Sequence, residues 1–241
     1  LMDMTVAKTN RDPETGIDMV EIIAAEQSIK IHDLLRHTSG FTYGFFGNSP
    51  ARQKLKESGI GSLNAMDISL KDFVARLAKL PLAYQPGKHW EYGRSVEVLG
   101  HLMEVVSGKN LDTFMVTSIF EPLDMVDTGF WVPKEDWSRI AEPLRNSDEP
   151  KLIDVRQQPK LLSGGHGLVS TVGDYLRFCQ MMLNGGVLDG TRILGSKTVQ
   201  YITENHLGKG ISRAGPYYLP GPGYGFGLGF GVRENNGISA W

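Results

Sequence analysis

Apolar side chains recur at the spacing of an amphipathic helix in several parts of the chain. Leu70, Phe73, Val74 and Leu77 follow one another at i, i+3, i+4 and i+7, which places them on one helix face. Ser69 precedes them in a sequence similar to a capping box, with Asp in place of Glu or Gln. The pattern predicts a helix that begins after Ser69 and buries these four side chains.

Further helices are expected along the rest of the chain. Their expected ranges are 31–37, 51–57, 95–107 and 111–120, and two later helices are expected to be capped by Thr171 and Ser196. In the helix over 95–107, the stripe expected to face inward is Val96, Leu99, Met103 and Val106. In the helix after Thr171, the inward stripe is Val172, Tyr175, Cys179 and Met182.

Strand-like patterns lie near the two ends of the sequence. From Tyr224 to Val232 apolar residues alternate with glycines, and a period of two indicates a strand with one apolar face and one bare face. The sequence Asn235-Asn236-Gly237 is typical of a hairpin turn, so a returning strand is expected after it. Near the other end, turn-forming residues 10–16 separate two short apolar stretches. The chain is therefore expected to be mostly helical, with strands at its ends.

Composition and charge exclude several classes of protein. The 241 residues carry 25 Lys and Arg against 27 Asp and Glu, a net charge of −2, and no basic stripe suits a nucleic acid. No apolar run approaches the roughly 20 residues of a membrane span. The single cysteine, Cys179, excludes an internal disulfide and is expected to be a small core residue.

The sequence lacks the signatures of common cofactor and metal sites. It contains no Gly-x-x-x-x-Gly-Lys, no Gly-x-Gly-x-x-Gly and no Gly-x-Ser-x-Gly, and none of the six histidines forms a His-Glu-x-x-His pair. We therefore expect no cofactor and no metal site. No signal peptide is visible in a sequence that begins at Leu1, so the compartment stays unassigned, as does the oligomeric state.

Four local motifs follow one another in a specific order. They are Leu34-Leu35-Arg36-His37-Thr38-Ser39-Gly40, then Pro86-Gly87-Lys88-His89-Trp90-Glu91-Tyr92-Gly93-Arg94-Ser95, then Ile119-Phe120-Glu121-Pro122-Leu123-Asp124-Met125-Val126-Asp127-Thr128, and Gly164-Gly165-His166-Gly167-Leu168-Val169-Ser170-Thr171. Together they resemble the β-lactamase-like serine hydrolases, a group that includes class C β-lactamases, DD-peptidases, family VIII carboxylesterases and related acyltransferases. The resemblance covers about residues 28 to 232. It departs at Asp124, where family members often carry Gly.

The resemblance implies a fold as well as an activity. The expected class is α/β (α+β), with an antiparallel sheet flanked by helices beside an all-α subdomain. Residues 1–241 would form part of one such domain, incomplete at both ends. Residues from about 66 to 162 would be the mostly helical subdomain, and residues 1–65 and 163–241 would lie towards the α/β part.

The resemblance also implies a mechanism that passes through an acyl-enzyme. The Ser of a Ser-x-x-Lys motif attacks the acyl carbonyl, the Lys and a Tyr shuttle the proton, and a backbone oxyanion hole stabilises the tetrahedral intermediate. Tyr92 matches the family tyrosine and is the candidate general base. A phenol with an ordinary pKa of ~10 needs a nearby ammonium for this role, which the family Lys would supply.

Two of the family motifs do not occur in the sequence. No serine begins a Ser-x-x-Lys, and no Lys-Thr-Gly-like strand follows the glycine-rich stretch. Ser196-Lys197-Thr198 is interpreted as a helix start. We therefore expect the nucleophile and the last strand to lie outside residues 1–241, and the chain by itself to be inactive.

A further departure bears on the substrate. Class C β-lactamases carry Asn two residues after the catalytic Tyr, and this chain has Arg94 there. Replacing an amide by a bulky cation favours a small-molecule ester, handled by a carboxylesterase or an acyltransferase. A β-lactamase, a D-alanyl-D-alanine peptidase acting on an amide and a non-catalytic ligand-binding relative stay open as alternatives.

Two more residues are candidates for the substrate pocket. Tyr43 follows the first motif and would wall the cleft, unless the aromatic residues of this loop only fold it onto the core. His166 would line the acyl pocket, since its neighbouring glycines permit a tight turn close to a ligand; the alternative is a surface turn histidine.

Overall fold

A computed structural model describes residues 3–15, 18–61, 67–143, 152–213 and 218–237. Its α-helices are α1 (Ile31–Leu35), α2 (Pro50–Glu57), α3 (Leu70–Leu77), α4 (Ser95–Ser107), α5 (Leu111–Met115), α6 (Val172–Leu183) and α7 (Ser196–Ile202). Its strands are β1 (Thr5–Arg11), β2 (Asp18–Ala24), β3 (Val187–Leu188), β4 (Thr191–Arg192), β5 (Tyr224–Phe226) and β6 (Gly231–Arg233). A π-helical turn, Val116–Phe120, continues α5, and a 3-10 helix covers Lys134–Arg139.

The strands pair antiparallel in three hairpins. β1 pairs with β2 in a register that runs from Thr5 opposite Ala24 to Arg11 opposite Asp18. β3 pairs with β4, and β5 with β6. Leu82 lies beside β1, where its backbone N–H donates to the carbonyl of Thr5 over 2.8 Å. The mixture of helices and antiparallel strands agrees with the expected α/β (α+β) class.

The helices with the clearest apolar spacing begin and end close to the predicted residues. The Ser69 side chain accepts a hydrogen bond from the backbone N–H of Asp72, as an N-cap does. All four side chains of the predicted stripe on α3 are buried. Burial of each contributes about 2 kcal/mol of hydrophobic stabilisation. The range of α4 matches the predicted 95–107.

The predicted inward faces of two helices are only partly correct: Leu99 and Met103 of α4 and Met182 of α6 pack against the hydrophobic clusters, but other positions do not. On α4 the buried residues are Ser95, Glu97, Val98 and Gly100, whereas Val106, expected inside, is 73% exposed. On α6 Val172 and Tyr175 are exposed and Cys179 is half-buried, while Asp174 and Met181 are buried. The reason is polar burial: the Asp174 carboxylate accepts hydrogen bonds from the backbone of Asp127 and the hydroxyl of Thr128. Apolar periodicity does not register such a contact.

Two predicted helix ends are also corrected. α1 ends at Leu35, and His37 follows with a φ of 57°, in the left-handed region that commonly terminates helices. The N-cap of α7 is Gly195, so Ser196, expected to be the cap, is its first residue.

The glycine-rich stretch forms a hairpin and not the single predicted strand. β5 and β6 each contain three residues and pair from Tyr224 with Arg233 to Phe226 with Gly231. The backbone N–H of Gly227 donates to the carbonyl of Phe230 over 2.7 Å and closes the turn. The strand expected after Asn235 falls on residues outside the described ranges.

The largest hydrophobic cluster draws on both predicted parts of the domain. It contains Val6 and Leu34 from one part, Phe73 and Val98 from the other, and Leu161 near their boundary. A second cluster joins Phe120, Leu123 and Met125 to Met181 of α6. A third joins Trp90 to Leu207 and Phe226, with Tyr92 packed against it. The division at about residues 66 and 162 stays a prediction.

Candidate functional site

Tyr92 lies where the loop after α1 meets the segment that leads into α4. The backbone N–H of Gly87 donates to the carbonyl of Thr38 over 2.7 Å, and that of Glu91 donates to the carbonyl of His37 over 2.9 Å. A Cβ on Gly93 would come within 2.4 Å of the Phe41 carbonyl oxygen, so only glycine fits beside the loop. The first and second motifs therefore lie side by side around Tyr92.

Two buried ion pairs hold the backbone on either side of Tyr92. Before it, the Glu91 carboxylate lies 2.5 Å from the guanidinium of Arg52 and accepts a hydrogen bond from Thr42 over 2.6 Å. After it, Arg94 donates to Glu97 over 2.6 Å, and both side chains are fully buried. Removing one partner of a buried ion pair leaves the other charge uncompensated and is strongly destabilising. These pairs therefore hold the backbone on either side of Tyr92 in place.

The Tyr92 side chain is half-buried among other rings. Its centroid lies 4.8 Å from that of His37, 5.4 Å from that of Tyr43 and 6.4 Å from that of Trp90. Desolvation, and next to it the negative charge of Glu97, raise the pKa of Tyr92 above its ordinary value. Both effects favour the neutral phenol.

His37 is a buried neutral group in contact with Tyr92. Burial lowers the pKa of His37 to about 4, against an opposing effect of Glu97. Thr38 donates to Asp33, and the hydroxyl of Ser39 lies 2.8 Å from that of Ser95. These contacts are typical of a structural turn and not of a catalytic triad.

Arg94 and Tyr43 are both buried close to Tyr92. The Arg94 guanidinium lies 4.7 Å from the centre of the Tyr43 ring, a cation–π distance, and also donates to the carbonyl of Ile60. Tyr43 is 3% exposed, and desolvation raises its pKa. In this structure Arg94 faces the protein interior, so its effect on a ligand would act through Tyr43 and Glu97.

His166 reaches the same cluster from the fourth motif. Its Nδ1 lies 2.9 Å from the Ser163 hydroxyl and 3.6 Å from the Glu97 carboxylate. A Cβ on Gly165 would come within 2.7 Å of that carboxylate, so the glycine lets the loop approach α4. Burial alone would raise the pKa of Glu97, but His166 and Arg94 together hold it below its usual value.

The structure therefore brings the four predicted site residues into one neighbourhood. Tyr92 contacts Tyr43, Tyr43 contacts Arg94, and Glu97 joins Arg94 to His166. Sequence reasoning missed Glu97 and did not give His37 a place beside Tyr92. The available signal for Glu97 was its position three residues after Arg94 on a helix, where opposite charges meet.

Within the described ranges, no three His, Cys, Asp or Glu side chains converge as metal ligands. None of the helices observed there has the length and apolar character needed to cross a bilayer.

Comparison with known families and proteins gives consistent matches. Residues 22–241 match the family described as Beta-lactamase. Protein Rv1367c of Mycobacterium tuberculosis is 33% identical over 189 residues, which cover 76% of this chain and 46% of that protein. Lovastatin esterase of Penicillium rubens is 29% identical over 190 residues, 75% of this chain and 45% of the esterase. The chain thus spans less than half the length of these relatives.

The fold has solved counterparts. Simvastatin synthase (LovD) from Aspergillus terreus superimposes with a TM-score of 0.67 at 22% sequence identity, over 96% of this chain and 58% of the synthase. At this sequence identity the similarity shows the fold alone, and it confirms the expected fold class.

Proposed function

This chain belongs to the Beta-lactamase family of serine hydrolases, and we propose that it is the tyrosine-bearing part of an enzyme that acts on esters. The membership confirms the resemblance carried by the four motifs. Relatives named as esterases and as an acyltransferase support an ester. A relative named as a putative D-alanyl-D-alanine carboxypeptidase keeps a D-alanyl peptide as the alternative. The absence of the class C asparagine also favours an ester, because Arg94 at that position is buried and offers no amide to a β-lactam.

The position of Tyr92 carries the proposal. Its phenol is half-buried and flanked by rings, and the backbone on either side of it is anchored through Glu91 and Arg94. A positioned base of this kind typically contributes about 10²–10⁴-fold to the rate. In the reaction Tyr92 would accept the proton of a serine hydroxyl as that oxygen attacks the acyl carbonyl. The proton would then pass to the leaving alcohol, and water or a second alcohol would release the acyl group.

The raised pKa of Tyr92 fits this role only with a further cation. In the described residues both influences on the phenol favour its neutral form. An ammonium placed within about 4–6 Å would favour the phenolate and bring the pKa towards neutrality. We propose that the lysine of a Ser-x-x-Lys motif supplies it, together with the nucleophile.

Tyr92→Phe in a protein that contains this chain together with a Ser-x-x-Lys segment tests the proposal. Removing the phenol oxygen should lower kcat for a short-chain p-nitrophenyl ester by about 10²–10⁴-fold, because the base is lost. Tyr175→Phe is the matched control, since Tyr175 is 61% exposed on α6 and should leave kcat unchanged. Equal kcat for wild type and Tyr92→Phe would refute the role given to Tyr92.

A further inference from the structure

A large cavity adjoins the site without containing Tyr92. It has a volume of about 1490 Å³ and lies between the loop at Gly44 and Phe45, the segment 126–143 and residues 167–171. Pockets for drug-sized ligands are typically about 300–1,000 Å³. The cavity is therefore large enough for a group much bigger than a short acyl chain.

The walls of this cavity are rich in apolar side chains that remain open to solvent. They include Phe45, Val116, Trp131, Ile140 and Leu168. Phe45 is 54% exposed and Leu168 is 44% exposed. A ligand that covers such side chains removes apolar surface from water, and this is the main driving force for binding an apolar group.

The charged groups of the walls disfavour an anionic ligand. Five acidic residues and three basic residues line the cavity. Each of its two arginines is already paired with two carboxylates: Arg139 with Asp127 and Asp136, and Arg156 with Asp154 and Glu142. Lys56 donates to the Gly47 carbonyl and the Asn48 side chain. An anion would therefore meet an excess of negative charge. The two arginines and the lysine that could bind it already donate to acceptors within the protein.

A row of aromatic rings connects the cavity to Tyr92. The Phe45 ring, in the cavity wall, stacks on the Tyr43 ring at 4.9 Å with an interplanar angle of 14°. The Tyr43 ring in turn lies 5.4 Å from the ring of Tyr92. On the other flank Gly167 lines the cavity directly after His166. The cavity and the candidate site thus share two segments of chain.

We propose that the cavity binds a bulky, uncharged, apolar group. Resting on the proposed function, this group is the large acyl or alcohol portion of the ester on which Tyr92 acts. The expected substrates are neutral esters with a hydrophobic body. β-Lactams and peptides that bear a free carboxylate would not suit the cavity.

A pair of matched probes tests the charge and the polarity of the site. Methyl 2-naphthoate and the 2-naphthoate anion share one ring system and differ in charge, and both can be titrated into the 241-residue chain by calorimetry at pH 7. The neutral ester should bind with one-to-one stoichiometry, about tenfold more tightly than the anion. Equal or tighter binding of the anion, or no binding of the ester, would overturn the inference.

Three variants test whether the probe binds in this cavity. Leu168→Asp sets a charge in the apolar wall and should weaken binding of the ester about tenfold or more. Leu183→Asp is the matched control, because Leu183 is 82% exposed on α6 and does not line the cavity, so the affinity should stay that of wild type. Val126→Asp, at a lining residue that is 80% exposed, gives a second test that does not disturb the core. Wild-type affinity in both lining variants would show that the probe binds elsewhere.

The binding test is separate from the test of catalysis. It uses a chain that contains no Ser-x-x-Lys, so it does not depend on turnover. Loss of binding alongside Tyr92-dependent turnover would overturn the cavity inference alone. Binding without Tyr92-dependent turnover would overturn the proposed function alone.

Discussion

Buried ionisable groups set the electrostatics around Tyr92. Glu97 is fully buried, is held by Arg94 and His166, and acts on Tyr92, Tyr43 and His37 alike. Its negative charge disfavours a phenolate and favours a protonated histidine, so it opposes the base form of Tyr92. The site is thus arranged around a carboxylate whose effect a further cation must balance.

His37 should make the stability of the chain depend on pH. Its pKa is about 4 in the folded state and 6.5 in the reference state, so the unfolded chain binds more protons between these values. Stability therefore falls as the pH decreases through this window, by about 2 kcal/mol between pH 7 and pH 5. His37→Asn removes the titrating group and keeps a residue that tolerates a positive φ.

Urea unfolding at the two pH values measures this difference. The free energy of unfolding of wild type should drop between pH 7 and pH 5 by about 2 kcal/mol more than that of His37→Asn. The same drop in both proteins would mean that His37 is already protonated, or accessible, in the folded state.

Helix starts in this chain depend on single side chains in different ways. Ser69 caps α3 through its hydroxyl, which accepts from the backbone N–H of Asp72 over 3.1 Å. Ser196 occupies a similar place in the sequence, but Gly195 is the cap of α7 and no side chain caps that helix. A serine before an apolar stripe is therefore compatible with either arrangement, and the backbone geometry decides between them.

Two alanine variants distinguish the two helix starts. Ser69→Ala should lower the free energy of unfolding by about 1 kcal/mol, because an orphan N–H of α3 loses its acceptor. Ser196→Ala should change it by less than about 0.5 kcal/mol, since no capping bond is lost. Chemical denaturation followed by circular dichroism measures both changes in the free energy of unfolding. Equal losses in the two variants would contradict the assignment of Gly195 as the cap.

At the scale of the whole molecule, the hydrophobic core and the proposed chemistry have different requirements. The largest cluster unites residues from β1 to Leu162, and the three clusters account for much of the buried apolar surface. The chemistry requires an activated serine as well, and no serine in the sequence has a lysine three residues later. A folded chain without a Ser-x-x-Lys motif is therefore expected to bind but not to turn over.

A fluorophosphonate probe checks this expectation on the 241-residue chain. Stoichiometric labelling should not occur, because such probes react with an activated serine, and removing the attacking residue typically costs orders of magnitude in turnover. A protein that includes the chain and a Ser-x-x-Lys segment should be labelled under the same conditions. One label per molecule on the 241-residue chain would show that one of its own serines is the nucleophile.

The sequence by itself determined the local elements and the family. Spacing at 3.6 residues predicted the ranges of α3 and α4, because helix periodicity depends only on neighbours within a few residues. The four ordered motifs indicated the family and the candidate Tyr92. These signals are short-range, and each can be read without knowing what packs against it.

Only the tertiary structure decided which faces are buried and which residues meet. The inward faces of α4 and α6 were predicted only in part, since Glu97 and Asp174 are buried by polar contacts with distant segments. The stretch after Tyr224 became a hairpin, because a pattern of period two is the same for one strand and for two that turn back. Burial of a charge depends on partners from distant parts of the chain, and these partners come into contact only when the chain folds.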